Sequence, residues 1–202
     1  MKDAENVKEI STLGPDFMGF IFYEPSKRNA LGINPQIVRS LPDSVCPVGV
    51  FVNSSMENII EIADTYGLNT IQLHGDESPE LCRLLKDKGL NIIKALQIKD
   101  LLPNNLEKYS EVIDIFIFDA AGKQPGGNGF KFNWELLDNY TLDIPFLLSG
   151  GIGPDDYNYI LQFSHPNCIG IDLNSKFEIE PGIKNPISLF NFFYKIKKYE
   201  SS

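Results

Sequence analysis

The sequence predicts an α/β fold in which parallel β-strands alternate with helices. Seven short runs rich in apolar, β-branched or aromatic residues start about 20–30 residues apart, the span of one strand plus one crossover helix. Most of these runs are continuously apolar, as in strands that are buried on both faces of a parallel sheet. The predicted strands are Phe17–Tyr23, Pro47–Asn53, Thr70–Gly75, Ile92–Ile98, Asp114–Ala120, Pro145–Gly151 and Cys168–Ser175.

Helix signals lie between these runs. Serine before a helix, proline at its first position and glycine just after its end are typical start and stop signals. The tail, residues 187–199, has apolar side chains at helical spacing and basic residues in its last turns. The internal helices are predicted to begin at Ser54-Ser55, Ser78-Pro79 and Asp155, and the first two of them to end at Gly67 and Gly89.

The front of the chain departs from a simple barrel order. Residues 3–10 also predict a helix, whereas a parallel (β/α)8 barrel starts with a strand. The order of elements leaves open an open seven-stranded sheet and an eight-stranded TIM barrel with its first β-strand missing. No linker or charge block divides the chain, so we expect one domain over residues 1–202.

Composition excludes several classes of protein. Hydrophobic residues make up 43% and charged residues 22%, which excludes wholesale disorder. A net charge of -9 without a basic run disfavours nucleic acid and anionic membranes, and no apolar run approaches the ~20 residues that span a bilayer. Three cysteines without CxxC spacing (Cys46, Cys82 and Cys168) and the lack of a signal peptide favour the cytoplasm.

Glycine and small polar residues follow the last two predicted strands. Gly150 and Gly151 come after the sixth run, and Asp172-Leu173-Asn174-Ser175 ends the seventh. Turns after the last two strands of a barrel commonly bind phosphate through backbone amides. We therefore expect a phosphate site here. The alternative is that these glycines only form tight turns.

Asp119 ends the strongly apolar fifth run, Ile115–Phe118. Burial at such a position favours the protonated form of a carboxyl group, which suits a general acid. A structural Asp that caps the next turn is the alternative. The glycine-rich loop 121–129 follows directly and is either a mobile lid or a surface loop.

Two further side chains are candidates for substrate binding. Arg28 follows the first run and could bind a carboxylate bidentately, although an arginine in a loop is often only solvated. His74 ends the third run and is one of two histidines in the chain. Since no His, Cys and carboxylate cluster has metal-ligand spacing, we expect no metal.

The order of these motifs resembles the phosphoribosylanthranilate isomerase family over essentially the whole chain. The GVFVN and QLHGDE blocks, at residues 49–53 and 72–77, are the most specific. Further matching blocks are residues 13–22, 26–28, 93–95, 118–119, 126–129, 132–134, 149–152, 170–175 and 181–184. Other phosphate-binding barrels, such as ribulose-phosphate epimerases and indole-glycerol-phosphate synthases, need residues that this pattern lacks.

The resemblance implies a (β/α)8 barrel that catalyses an Amadori rearrangement, an aldose-to-ketose isomerisation in tryptophan biosynthesis, without cofactor or metal. It also implies a cytoplasmic monomer or homodimer with a sugar-phosphate substrate. By matching position, Asp119 is the general acid, Arg28 holds the anthranilate carboxylate, and His74 contributes to substrate binding. The phosphate end is expected to comprise Gly150, Gly151, Asp172, Asn174 and Ser175.

The resemblance breaks down at the front of the chain. The family begins with a strand that ends in Cys-Gly-Met and supplies the general base, whereas Met1 is followed here by Lys2-Asp3. We therefore expect that the first strand and its cysteine lie upstream of Met1 and that this chain has impaired activity. The alternative is a pseudoenzyme that binds sugar phosphates without turnover.

Overall fold

The computed structural model of the chain describes residues 1–120 and 133–200. Its main element is a seven-stranded parallel sheet in which every strand pairs with the next one along the chain. The sheet curls into a half-barrel, so the α/β class and the seven predicted strands are confirmed. The strands are β1 (Phe17–Ile21), β2 (Cys46–Phe51), β3 (Thr70–Leu73), β4 (Asn91–Ile98), β5 (Ile115–Ala120), β6 (Phe146–Leu148) and β7 (Cys168–Ile171).

Helices cover the outside of the sheet. Three of the predicted signals act as expected: the side chains of Ser55 and Ser78 cap two helices, and Gly67 ends the first of them with φ at 70°. The helix predicted to end at Gly89 ends at Lys86, and the one predicted to begin at Asp155 begins at Tyr157. None of the described helices is long and apolar enough to cross a membrane. The helices are α1 (Ala4–Ser11), α2 (Pro35–Arg39), α3 (Met56–Tyr66), α4 (Pro79–Lys86), α5 (Tyr157–Gln162) and α6 (Pro186–Glu200).

The last two predicted strands are shorter than expected. β6 ends at Leu148 because Gly150 and Gly151 turn the backbone, with φ at 92° and 64°. β7 ends at Ile171, and the chain then enters a short 3-10 helix, Ser175–Phe177. An antiparallel pair that the sequence pattern did not predict follows this helix, β8 (Glu178–Glu180) and β9 (Ile183–Lys184).

The sheet separates two apolar clusters. The larger one lies between the sheet and the helices and includes fully buried Phe20, Phe51 and Phe116. The smaller one lies on the inner face of the sheet and consists of Val48, Ile93, Ala95, Ile117 and Leu147. Because both faces are covered by apolar side chains, the strands are continuously hydrophobic in sequence.

β1 and β7 are the two edges of the sheet, and each has a single strand neighbour among the described residues. A groove of about 610 Å³ lies between them and is lined by residues of both strands. The N-terminal segment of the chain lies beside this groove. Asn6 of α1 forms a pair of hydrogen bonds with the backbone of Lys184, at 2.7 and 2.9 Å, and so ties α1 to β9.

Candidate active site

One cavity lies at the carboxyl ends of the strands. In a curled parallel sheet these ends meet at the same rim, which is where barrels of this type bind small molecules. The structure brings all eight candidate residues together around this cavity, although their roles stay predictions. They are Arg28, His74, Asp119, Gly150, Gly151, Asp172, Asn174 and Ser175.

Asp119 lies in the wall of the cavity on β5 and is 6% exposed. Its Oδ2 atom is 3.5 Å from Nε2 of His74, and its Oδ1 atom is 3.4 Å from Oγ of Ser149. On the other side of the imidazole ring, Nδ1 of His74 is 3.4 Å from the side-chain amide nitrogen of Gln72, Nε2. Both contacts of the Asp119 carboxyl group are longer than ordinary hydrogen bonds. They hold the group in position but leave it able to form a shorter hydrogen bond to a ligand.

Asp172 is the second carboxyl group of the cavity. Ser149 Oγ lies 2.9 Å from its Oδ2 atom. Burial raises the pKa of Asp172, and the nearby Asp119 carboxyl raises it further. The hydrogen bond from Ser149 and the charges of Lys184 and His74 act in the opposite direction but do not cancel the shift.

The glycine turn after β6 forms another wall of the cavity. Gly150 packs so closely on β5 that a Cβ atom there would lie 2.6 Å from the backbone nitrogen of Ala120. Among the hydrogen bonds between described residues, none uses the backbone amides of Gly150, Gly151 or Asn174 as donors. These amides can therefore bind an anion in the cavity.

Arg28, Glu178 and Lys184 form a charged cluster at another side of the cavity. Nε and Nη2 of Arg28 donate to the Glu178 carboxylate at 2.8 to 3.0 Å. Lys184 Nζ donates to the same carboxylate at 3.3 Å and to Asn174 Oδ1 at 2.7 Å. The cluster carries two cations and one anion, so it has a net positive charge in an acidic protein.

Burial and neighbouring charges shift the pKa values of Glu178 and Lys184 in this cluster. Burial alone would raise the pKa of Glu178, but hydrogen bonds from Arg28 and the charge of Lys184 outweigh burial and lower it. Burial lowers the pKa of Lys184, although the neighbouring carboxyl groups of Glu178 and Asp172 oppose that shift.

Sequence reasoning missed Ser149, Glu178 and Lys184 as cavity residues. Ser149 follows β6 directly, so its strand-end position was a usable signal. Glu178 and Lys184 lie beyond the last strand of the large sheet, and neither position carries a strand-end signal. The predicted glycine-rich loop 121–129 lies outside the described residues.

A half-barrel with a carboxyl group, a cationic cluster and glycine amides around one cavity defines an enzyme of the (β/α)-barrel class. A sequence model of N-(5'-phosphoribosyl)anthranilate isomerase matches residues 1–195. The chain belongs to this family, as its motifs predicted. The isomerase of Parabacteroides distasonis is 43% identical to it over 201 residues, which are 97% of this chain and 90% of that protein.

Solved structures agree with this assignment. Phosphoribosyl anthranilate isomerase from Thermotoga maritima is 31% identical, with a TM-score of 0.82 over 98% of this chain and 96% of that one. A phosphoribosyl anthranilate isomerase in complex with reduced 1-(o-carboxyphenylamino)-1-deoxyribulose 5-phosphate is 30% identical, with a TM-score of 0.78 over 98% and 95% of the two chains. Nothing in these similarities supports the expected loss of activity or the pseudoenzyme alternative.

Proposed function

We propose that this protein converts N-(5-phosphoribosyl)anthranilate into its open-chain 1-deoxyribulose phosphate isomer by an Amadori rearrangement in tryptophan biosynthesis. Membership of the isomerase family supports this function. The observation that carries it is the position of Asp119, which shares one cavity with the Arg28 cluster and the Gly150 turn. A proton donor thus lies beside sites for both charged groups of the substrate.

Asp119 is the general acid in this proposal. It protonates the ring oxygen of the ribose, so that the C1–O bond breaks and a Schiff base forms with the anthranilate nitrogen. A base then removes the proton from C2, and the resulting enolamine relaxes to the ketone; none of the described residues is assigned as this base. The apolar side chains that pack around β5 limit access of water to the carboxyl group, and this strengthens its interaction with the substrate.

Arg28 binds the anthranilate carboxylate. Glu178 occupies the Nε and Nη2 edge of the guanidinium group, and none of the described residues accepts a hydrogen bond from Nη1. The Nη1 side is therefore open to a second carboxylate. The bound ligand of the related solved enzyme also has a carboxyphenyl group at one end and a phosphate at the other.

The phosphate end of the substrate lies at the two turns after β6 and β7. Gly150, Gly151, Asn174 and Ser175 supply backbone amides there, and His74 lies on the Asp119 side of the cavity. A phosphate dianion needs several such donors because it is strongly hydrated in water. Lys184, held by Asn174, adds a positive charge close to these turns.

We also propose that the reaction takes place in the cytoplasm. Cys46, Cys82 and Cys168, which are all the cysteines of the chain, are free thiols, as a reducing compartment allows. We further propose that the protein acts as a monomer or a homodimer.

Turnover of synthetic N-(5-phosphoribosyl)anthranilate by the purified full chain tests the function. We expect Asp119→Asn to lower kcat by about 10²–10⁴-fold, because the isosteric amide cannot donate an acidic proton. KM should stay within a few-fold of the wild-type value. The matched control is Asp114→Asn, which removes a carboxylate just before β5, at the far end of the same strand. A wild-type chain without turnover, or a fully active Asp119→Asn variant, contradicts the proposal.

A further inference from the structure

Two carboxyl groups of the cavity flank one hydroxyl group. Ser149 Oγ is 2.9 Å from Asp172 Oδ2 and 3.4 Å from Asp119 Oδ1. Ser149 and Asp119 are at most 6% exposed and Asp172 is half-buried, so bulk water does not separate Ser149 from Asp119. The three residues follow or end neighbouring strands β5, β6 and β7, and they form a short row across the rim of the sheet.

A hydroxyl group has a single hydrogen atom. Ser149 can therefore donate to only one of the two carboxyl groups, and a bond to the other requires that carboxyl group to donate. Two ionised carboxylates on one buried hydroxyl would also repel each other in a medium of low dielectric constant. The row is stable when one of the two carboxyl groups carries a proton.

The surroundings decide which carboxyl group carries it. The side-chain amide nitrogen of Gln72 lies 3.4 Å from Nδ1 of His74, and Nε2 of the same ring lies 3.5 Å from Asp119 Oδ2. Asp172 Oδ2 makes the closer contact with the Ser149 hydroxyl group, 2.9 Å against 3.4 Å for Asp119 Oδ1. The charged or titratable groups that face Asp172 are Asp119, His74 and Lys184, and the net result with burial is a raised pKa.

We propose that Asp172 stores a proton and delivers it to the general acid Asp119 through the hydroxyl group of Ser149. In this step the Oδ2–H bond of Asp172 breaks and a new O–H bond forms on Ser149 Oγ. The original Ser149 hydrogen passes to Asp119 Oδ1, and Asp119 then donates it to the ring oxygen. Before the next turnover Asp172 regains a proton from water and the base that took the C2 proton releases it to water, so protons and charge balance.

This proposal rests on the proposed function. Asp172 and Ser149 are positioning residues in that reaction, because they act through Asp119. The sequence predicted Asp172 as part of the phosphate site, whereas in this proposal its carboxyl group holds a proton. A carboxyl group is a poor ligand for a phosphate dianion, whereas one that faces Ser149 and the general acid is well placed to hold a proton.

Infrared titration of the ligand-free protein tests the store without turnover. We expect the wild-type protein at neutral pH to show the absorption of one protonated carboxyl group that the isosteric variant Asp172→Asn lacks. Asp114→Asn, the control, should keep that absorption because Asp114 binds Lys86 and the Ile92 amide at the opposite end of the sheet. An absorption that is the same in Asp172→Asn and the wild type overturns the proposal.

Turnover tests the path. We expect Ser149→Ala to lower kcat at least about tenfold and to regain rate as the imidazole buffer concentration rises at fixed pH and ionic strength, because a small acid replaces the relay. Asp172→Asn should shift the alkaline limb of the kcat profile to lower pH, since Asp119 must then be protonated by water. The wild type and Asp114→Asn should be independent of buffer.

A lowered kcat in Ser149→Ala that does not respond to buffer indicates a structural role and overturns the relay. An unchanged kcat in that variant does the same. Absence of isomerase turnover in the wild type contradicts the proposed function instead, and the infrared titration then decides by itself whether Asp172 holds a proton.

Discussion

At the scale of single residues, Glu178 connects the two cations of the cavity. Its carboxylate accepts hydrogen bonds from Arg28, Lys184 and the backbone amide of Gly182, and its side chain is 4% exposed. A buried carboxylate with this many charged partners fixes the Arg28 guanidinium in one orientation. The orientation of Arg28 in the cavity therefore depends on a residue from β8.

We expect Glu178→Gln to raise KM by roughly tenfold with a smaller change in kcat, because Arg28 loses its fixed orientation. The variant should also be less stable by about 1–3 kcal/mol at pH 7. The folded pKa of Glu178 lies below its ordinary value of 4.5, so its contribution is complete above that pH. It is lost as pH falls through the folded pKa, and the difference between variant and wild type should shrink accordingly.

Urea unfolding at pH 7 and at pH 3–4, together with steady-state kinetics, measures both effects. Glu180→Gln is the matched control, because Glu180 lies on the same strand but is 64% exposed and has only a 3.9 Å contact with Lys2. Equal stability losses for the two variants at pH 7 would contradict the role given to Glu178.

At the scale of elements, a buried ion pair connects the middle of β4 to the ends of β2 and β3. Lys94 and Glu77 are each 1% exposed, and Lys94 Nζ donates to Glu77 Oε2 at 2.8 Å and to the carbonyl oxygens of Leu73 and Gly75. Glu77 also accepts hydrogen bonds from the backbone amides of Asn53 and Gly75. Because His74 lies within this turn, the pair places the ring that faces Asp119.

We expect Lys94→Met to destabilise the protein by about 3–5 kcal/mol, because it leaves the Glu77 charge buried without its partner. Lys86→Met is the matched control. Lys86 makes an equally short 2.8 Å pair with Asp114, but both side chains are 37% exposed, so its loss should cost about 1 kcal/mol or less. Chemical unfolding measures the free energy of unfolding of both variants. Similar losses of stability in the two would contradict the role given to the Lys94–Glu77 pair.

At the scale of the whole molecule, the sheet has a strong centre and two weak edges. β3, β4 and β5 each pair with two strands, whereas β1 and β7 each have one strand partner in the described part of the chain. We expect amide hydrogens of β1 and β7 to exchange with solvent faster than those of β4, because local opening of an edge breaks fewer bonds. Hydrogen exchange followed by mass spectrometry measures this, and uniform protection across the sheet would contradict it.

Much of this architecture could be predicted from local patterns. Apolar runs identified the seven strands, and because parallel strands end at one rim, the residues at and after their ends identified eight of the residues that line the cavity. The Arg28–Glu178 contact could not be predicted, since 150 residues separate the partners and no pattern in either segment points to the other. Ser149 was at a recognisable position, but its place between two carboxyl groups depends on the register of three strands.

The link between Asn6 and Lys184 has a consequence for the order of folding. Neighbours in the large sheet are also neighbours in sequence, so these strands can pair one after another as the ribosome releases them. The Asn6–Lys184 hydrogen bonds join residues 178 positions apart and must wait until β9 has been synthesised. Since the same lysine reaches Glu178 and Asn174, the nascent chain acquires this cation of its cavity only after β9 has been synthesised.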